Sequence, residues 1–195
     1  MIPFYKHNLS KNKNYLTKTL KSSYLTSGPV CQKIENILAS NFNKKYCILT
    51  NSWTNGLISI LMALNIKPKD EIIIPACTFV ACANVIEMIG AKVVFSDIDS
   101  NTKLMDINDC LKKITKKTKA IMPVHLYGNL FQTKKLKEKI RKNILIIEDS
   151  AHAFCGEYNN VKLGKYSDFT VFSFYATKSI TCGEGGAIIT NHKEH

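Results

Sequence analysis

Lys178 is the residue whose setting points most directly to chemistry. It lies in the segment FSFYATKSITCGEGG, just past a short apolar run, with hydroxyl side chains on both sides and glycines after it. A lysine at the end of a buried strand is partly removed from water, which lowers its pKa and turns its free amine into a nucleophile that can form a Schiff base with an aldehyde. The residues alone leave open the alternative of an ordinary loop lysine.

A carboxylate and an imidazole follow another apolar run, in the segment IIEDSAH. Asp149 and His152 are placed where a buried strand passes into a loop, which is where binding sites form in α/β proteins. The pair is a weak signal by itself. Asp149 could instead cap the following segment, and His152 could be a hydrogen-bonded histidine of the core.

Two further segments offer contacts for a flat, phosphorylated ligand. In NSWTNG, Thr54 and Asn55 begin an apolar helix, whose free amides and dipole can hold a phosphate, although the spacing is not that of a P-loop. Thr54 could equally be a plain helix N-cap. Phe79, after the apolar run Ile72–Ile74, could stack on a flat cofactor, or it could pack in the core.

The elements that would position these residues alternate between strand and helix along the chain. Near-continuous apolar runs such as Ile72–Ile74 fit strands covered on both faces, which predicts an α/β fold with a mostly parallel sheet between two layers of helices. The last strand is expected to lack a cover, because only a turn follows it. Seven strands are predicted, at Tyr46–Thr50, Glu71–Pro75, Lys92–Ser96, Lys119–Val124, Ile144–Glu148, Phe169–Phe174 and Ala187–Thr190. Five helices are predicted, at Val30–Ala39, Thr54–Leu64, Val80–Ile89, Asp106–Ile114 and Phe131–Lys142.

Composition limits the classes of protein to which the chain can belong. The 195 residues are 45% hydrophobic, and no apolar run approaches the about 20 residues of a membrane span. Residues 1–10 lack the apolar stretch of a signal peptide, so a cytoplasmic location is expected. The seven cysteines include no CxxC pair, which argues against a disulfide framework and against a metal site.

The net charge of +12 raises the question of nucleic-acid binding. Arg141 is the only arginine among 27 basic residues, whereas base readout and bidentate phosphate contacts favour arginine. We therefore expect no nucleic-acid partner, although a basic nucleic-acid-binding domain stays an alternative. A positive field would instead attract a small anionic substrate.

Taken together and in order, these motifs resemble the DegT/StrS family of pyridoxal-phosphate-dependent sugar-nucleotide aminotransferases, a branch of the fold-type-I aminotransferases. The resemblance runs from about Ser27 to Asn191. It rests on KPKDEIIIPACTFVACANVIEMIGAKVVFSDID, ITKKTKAIMPVHLYGN, IIEDSAHAFCGEY and DFTVFSFYATKSITCGEGGAIITN. It implies an N-terminal arm over residues 1–26 and a three-layer α/β/α large domain over residues 27–195, without the smaller C-terminal domain of the family.

The resemblance also implies a cofactor, pyridoxal 5′-phosphate, and a role for each candidate residue. Lys178 matches the lysine that binds the cofactor covalently and moves a proton, and Asp149 matches the carboxylate that keeps the pyridine nitrogen protonated. His152 matches a residue beside the ring and its phenolic oxygen, and Phe79 the aromatic that stacks on the ring. Thr54, Asn55 and Ser173 match the phosphate cradle. Trp53 departs from the small residues more usual in that turn, which weakens the assignment of Asn55.

The implied reaction moves an amino group, usually from glutamate, to a nucleotide-linked 4-keto or 3-keto hexose for glycan or polysaccharide synthesis. Relatives that dehydrate sugars have histidine in place of the lysine, so Lys178 argues against that branch. The resemblance further implies a homodimer. The alternative within the family is a truncated, inactive fragment or an interaction module.

Overall fold

A computed structural model describes residues 13–194 and contains one seven-stranded sheet with a small hairpin beside it. The order across the sheet is β1-β9-β8-β5-β4-β2-β3, and β9 is antiparallel to both of its neighbours while the other adjacent pairs are parallel. The predicted mostly parallel sheet is thus confirmed. The strands are β1 (Tyr46–Thr50), β2 (Glu71–Pro75), β3 (Lys92–Ser96), β4 (Thr118–Ile121), β5 (Leu145–Asp149), β6 (Glu157–Tyr158), β7 (Val161–Lys162), β8 (Phe169–Ser173) and β9 (Gly186–Thr190).

Helices cover both faces of this sheet. Successive side chains of a strand point to opposite faces, and apolar side chains lie on both faces, so each face needs a cover. Ile72 and Ile74 belong to one core cluster, which also contains residues of α3 and α4, whereas Ile73 belongs to a second cluster with residues of α5 and α6. A third cluster joins α2 to β1, β8 and β9. The predicted three-layer fold is therefore confirmed. The helices are α1 (Lys13–Leu20), α2 (Pro29–Asn41), α3 (Trp53–Ala63), α4 (Ala81–Met88), α5 (Ile107–Lys112) and α6 (Thr133–Lys137).

The expectation that the last strand lacks a cover is wrong. All five residues of β9 are buried, because the strand is inserted between β1 and β8. Ile188 packs in the cluster on one face of the sheet, and Ala187 and Ile189 pack in the cluster on the other face. A strand near the end of the sequence thus lies inside the sheet.

Other differences from the predicted elements have local causes. The strand β4 ends at Ile121 rather than at Val124, since Pro123 has no amide to donate. The helix α6 is shorter than the predicted 131–142, because after Lys137 the chain passes into a turn, where the Lys139 amide donates to the Leu136 carbonyl three residues back at 3.0 Å. The hairpin of β6 and β7 was not predicted; its turn residues, Asn159 and Asn160, both have positive φ, as such tight turns require.

The proposed N-terminal arm is only partly described. Residues 1–12 of that arm, and His195 at the other end of the chain, lie outside the described residues. Helix α1, which was not predicted, lies within the arm, and the boundary at residue 26 stays a prediction. None of the helices in residues 13–194 combines the length and the apolar character that crossing a membrane requires.

Candidate active site

A cavity of about 300 Å³ lies at the carboxyl ends of the parallel strands. It brings together six of the seven predicted site residues: Thr54, Phe79, Asp149, His152, Ser173 and Lys178. The seventh, Asn55, does not line the cavity. Its side-chain amide donates to Asn51 Oδ1 at 2.7 Å. The fold thus gathers residues that are up to 124 positions apart, between 54 and 178, into one place.

Lys178 lies in the loop that joins β8 to the antiparallel β9. The base of this loop is closed because the Phe174 amide donates to the Gly185 carbonyl at 2.8 Å and the Cys182 amide donates to the Phe174 carbonyl at 3.1 Å. The Lys178 amide donates to the Tyr175 carbonyl at 3.0 Å, which forms a turn inside the loop. These bonds direct the lysine to the cavity between the two strand ends.

Partial burial changes the chemistry of the Lys178 amine. Loss of water lowers its pKa, while the negative charge of Asp149 acts in the opposite direction. A lower pKa leaves more of the amine unprotonated and therefore nucleophilic. The environment differs from that of a fully solvated loop lysine, which was the alternative left open by the sequence.

Asp149 ends β5 and is held on both sides by backbone bonds. Its amide donates to the Pro123 carbonyl at 2.9 Å, and its carbonyl accepts the His125 amide at 3.0 Å. The carboxylate is only 4% exposed, and its Oδ1 accepts the Ala151 amide at 3.0 Å, so the capping bond considered as an alternative does form. The other oxygen, Oδ2, accepts the Cys82 thiol at 3.4 Å. Burial raises the pKa of Asp149 against the effect of these bonds.

His152 is half-buried beside Asp149 and Lys178 along the cavity wall. Its Nδ1 accepts the Tyr127 amide at 3.3 Å, and its ring stacks on the Tyr127 ring with centroids 5.5 Å apart. Burial, and secondly the nearby charge of Lys178, lower the pKa of His152. His152 is therefore a cavity residue rather than the core histidine of the alternative interpretation.

The N-terminus of α3 forms one corner of the cavity. Ser52, not Thr54, is the N-cap, since Ser52 Oγ accepts the Asn55 amide at 3.1 Å. The plain N-cap alternative for Thr54 is thus wrong, and its hydroxyl lies along the cavity beside first-turn amides. Gly186 permits this approach, because a Cβ there would lie 2.7 Å from the Ser52 carbonyl carbon and 2.8 Å from the Trp53 nitrogen. Only glycine fits between β9 and this helix end.

Phe79 lies at the mouth of the cavity, where its ring is 70% exposed. The alternative that it packs in the core is therefore wrong. It follows β2 in a short link before α4, so the strand's apolar neighbours do not cover it. A flat ligand in the cavity has an uncovered aromatic face available for stacking.

Several cavity residues were not predicted from the sequence. Cys82 is fully buried and donates to Asp149, and Thr78 Oγ1 lies 3.1 Å from the Cys82 sulfur. The spacing of four residues between Thr78 and Cys82 was the one feature of the sequence that could have indicated this contact. Trp53 lines the cavity and also packs in the core. Its buried Nε1 makes no hydrogen bond in the described part of the chain. The remaining lining residues are Ser52, Val124, Leu126, Ala151, Tyr175, Thr177, Glu184 and Gly185.

Comparison with known proteins identifies the family to which the chain belongs. The sequence model of the DegT/DnrJ/EryC1/StrS aminotransferase family matches residues 7–195. GDP-perosamine synthase of Escherichia coli O157:H7 is 40% identical over 195 residues, which cover 98% of this chain and 54% of that protein.

Solved structures show the same architecture. Helicobacter pylori PseC, an aminotransferase involved in the biosynthesis of pseudoaminic acid, superposes with a TM-score of 0.88 at 32% identity, covering 94% of this chain and 50% of that one. Bacillus subtilis NtdA, solved with bound cofactor PMP, gives a TM-score of 0.86 at 36% identity, covering 93% and 41%. The chain thus spans about half the length of the relatives it matches.

Proposed function

Because the chain belongs to the DegT/DnrJ/EryC1/StrS aminotransferase family, we propose that it forms the cofactor-binding part of a pyridoxal-phosphate-dependent aminotransferase that acts on a nucleotide-linked keto sugar. The observation that carries the proposal is the shared cavity of Lys178 and Asp149 at the carboxyl ends of the strands. An amine of lowered pKa and a buried carboxylate are the two groups that this cofactor requires from a protein.

The donor set of the cavity fits the shape and charges of pyridoxal phosphate. The exposed Phe79 ring offers a stacking face for the pyridine, and the N-terminus of α3 offers amides and the Thr54 hydroxyl to the phosphate. Ser173 lies at the end of β8 in the same cavity. When bound, pyridoxal phosphate supplies an aldehyde that joins amines covalently and a ring that accepts electrons from the amine-bearing carbon.

The chain's own residues then have separate tasks. With the cofactor bound, Lys178 Nζ would hold it and would move a proton to and from the amine-bearing carbon, for which its lowered pKa prepares it. The Asp149 carboxylate stabilises a proton on the pyridine nitrogen. Since burial makes the Asp149 anion costly alone, a cationic ring nitrogen is a favourable partner for it. Asn55 stays a weaker prediction, because its side chain does not line the cavity.

The substrates are proposed from relatives and from charge. GDP-perosamine synthase, the 40% identical relative, is named for a nucleotide-linked sugar, and the net charge of +12 would attract a nucleotide diphosphate. We propose glutamate as the amino donor, a homodimer as the assembly and the cytoplasm as the location. These three remain expectations from the family resemblance and the sequence.

The test uses the purified chain, a Lys178→Ala variant and a matched Lys112→Ala variant, whose lysine is exposed on α5. Pyridoxal phosphate is expected to give the wild type and Lys112→Ala a visible absorbance band that borohydride removes, with the added mass located on Lys178 by peptide mapping. Lys178→Ala should give neither the band nor amine transfer to a keto-sugar nucleotide.

Other results of this test would contradict the covalent role of Lys178 or favour one of the alternative functions. A band that forms equally in Lys178→Ala would contradict the proposed covalent lysine. A band without amine transfer from glutamate would favour the inactive fragment or interaction module. Salt-sensitive retention on DNA that is indifferent to Lys178→Ala would favour the nucleic-acid alternative.

A further inference from the structure

We propose that Tyr127 is a positioning residue that fixes His152 as a neutral N–H donor facing the cavity. Two parts of Tyr127 act together: its backbone amide sets which ring nitrogen carries the proton, and its ring lies parallel to the imidazole with the centroids 5.5 Å apart. The tautomer of His152 follows from the hydrogen bond that its Nδ1 accepts. The identity of the group that receives its N–H rests on the proposed function.

The backbone amide selects the tautomer. An amide N–H can only donate, so the 3.3 Å contact from the Tyr127 nitrogen makes His152 Nδ1 the acceptor. In a neutral imidazole the other nitrogen then carries the proton. His152 Nε2 makes no hydrogen bond to any residue between 14 and 194, so its N–H is available to a ligand in the cavity that the side chain lines.

The backbone of Tyr127 is held in a conformation that tyrosine rarely adopts. Its φ of 53° and ψ of 28° lie in the left-handed region, which is unfavourable for a residue with a side chain. Such strain persists only where the surroundings impose it. Here the segment is fastened beside Tyr127, because the His125 amide donates to the Asp149 carbonyl at 3.0 Å and the Asn129 amide donates to the Leu126 carbonyl at 2.9 Å.

The ring of Tyr127 has no core role that would explain its position. It is 86% exposed, yet it lies nearly parallel to the His152 ring, with 9° between their planes. The offset stack removes water from part of one face of the imidazole, and a less hydrated imidazole resists protonation.

Neighbouring charge favours the same neutral state. The positive charge of Lys178 adds to burial in lowering the pKa of His152. The titratable groups around the same cavity are Cys82, Asp149, Tyr175, Lys178 and Glu184. Within the proposed function, a neutral Nε2–H would donate to an acceptor on the ring of the cofactor without adding a second cation beside Lys178.

The first experiment determines the tautomer in the cofactor-free protein. Long-range ¹H–¹⁵N correlation spectra of the ¹⁵N-labelled chain report which ring nitrogen is protonated, and a His152→Asn variant assigns the signals. We expect protonated Nε2 and unprotonated Nδ1. A proton on Nδ1, or a rapid mixture of both forms, would overturn the proposal.

The second experiment separates the two parts of Tyr127. Tyr127→Gly retains the amide and relieves the strain but removes the ring, and Tyr127→Phe is the matched control that keeps the ring. The His152 titration midpoint should rise in Tyr127→Gly, because water reaches the ring, and stay unchanged in Tyr127→Phe, with the Nε2–H tautomer kept in both. Equal midpoints in the two variants would contradict the shielding role.

Adding pyridoxal phosphate distinguishes this inference from the proposed function. The pH dependence of the visible band should shift when His152 is changed to Leu and be restored toward wild type by His152→Gln, which offers an N–H donor. The Nε2–H tautomer without any cofactor binding would support the role of Tyr127 and contradict the proposed function. Cofactor binding with the proton on Nδ1 would contradict this inference alone.

Discussion

At the scale of single residues, burial shifts two cavity groups in opposite directions. It raises the pKa of Asp149 and lowers that of Lys178, while the Coulombic interaction between them opposes both shifts. The free-energy cost of converting each group to its neutral form is therefore lower in the cavity than in water. Pairs of this kind are concentrated at functional sites, where a group must exchange a proton near neutral pH.

The contact between Cys82 and Asp149 gives a prediction at this scale. Cys82→Ala removes the donor to Asp149 Oδ2. Cys82→Ser also removes the sulfur, but its hydroxyl keeps a donor at this position. We expect the alanine variant to have a free energy of unfolding about 1–3 kcal/mol below that of the serine variant, because a buried acceptor loses its partner. Urea unfolding measures this difference. Identical stabilities of the two variants would show that the thiol does not support the carboxylate.

At the scale of elements, the first turn of α3 divides its work between two hydroxyl residues. Ser52 caps the helix by accepting the Asn55 amide, and Thr54, two residues later, lines the cavity. The fully buried β9 passes close behind this turn at Gly186. The helix end is therefore both a structural junction and a place for an anion.

The division between the two hydroxyls can be tested with a pair of alanine variants. Ser52→Ala should lower the free energy of unfolding by about 0.5–2 kcal/mol, since it removes the cap. Thr54→Ala should leave stability within about 0.5 kcal/mol of wild type but weaken pyridoxal phosphate binding. Urea unfolding without cofactor and a spectroscopic titration with cofactor measure the two effects. If Thr54→Ala were as unstable as Ser52→Ala, the assignment of the cap would be wrong.

At the scale of the whole molecule, a buried anion anchors the strand that carries Asp149. Glu148 is 2% exposed, and its Oε2 accepts the Gly164 amide at 2.8 Å and the hydroxyls of Ser167 and Thr170 at 3.1 Å. The Thr133 hydroxyl donates to Oε1. These donors come from separate parts of the chain, so one carboxylate joins β5 to the layer around α6 and to β8.

This buried carboxylate predicts how stability depends on pH. Burial acts to raise the pKa of Glu148, but the nearby His125 imidazole and the hydroxyl and amide donors outweigh it, so the pKa falls from 4.5 to about 2. Because the folded pKa lies below the unfolded one, the stabilisation is complete above pH 4.5 and is lost as pH falls toward about 2. The glutamine of Glu148→Gln does not titrate in this pH range, and its amide NH₂ would face the N–H and O–H donors that now bond to the Glu148 carboxylate.

We therefore expect Glu148→Gln to lower the free energy of unfolding by about 1–3 kcal/mol at pH 7. The difference from wild type should shrink as the pH falls from 4.5 toward 2. Urea unfolding of both proteins across this range measures it. A difference that stayed constant with pH would mean that Glu148 does not contribute as an anion.

The amino-acid sequence was enough to predict the alternation of strands and helices, the mostly parallel sheet and the identity of the main cavity residues. These follow from local patterns, because apolar runs such as Ile72–Ile74 specify buried strands, and because the residues at their carboxyl ends meet at one edge. The early end of α6 could not be predicted, because the helical pattern of the sequence continues past Lys137, where the chain passes into a turn.

Which neighbours complete the site became known from the packing of the folded chain. Insertion of β9 between β1 and β8, the bond from Cys82 to Asp149 and the stack of Tyr127 on His152 are contacts between distant segments. The same applies to Phe79, whose exposure depends on what packs around it rather than on its own type. The physical reason is that a local pattern records which side chains leave water, whereas their partners are set by how separate elements pack.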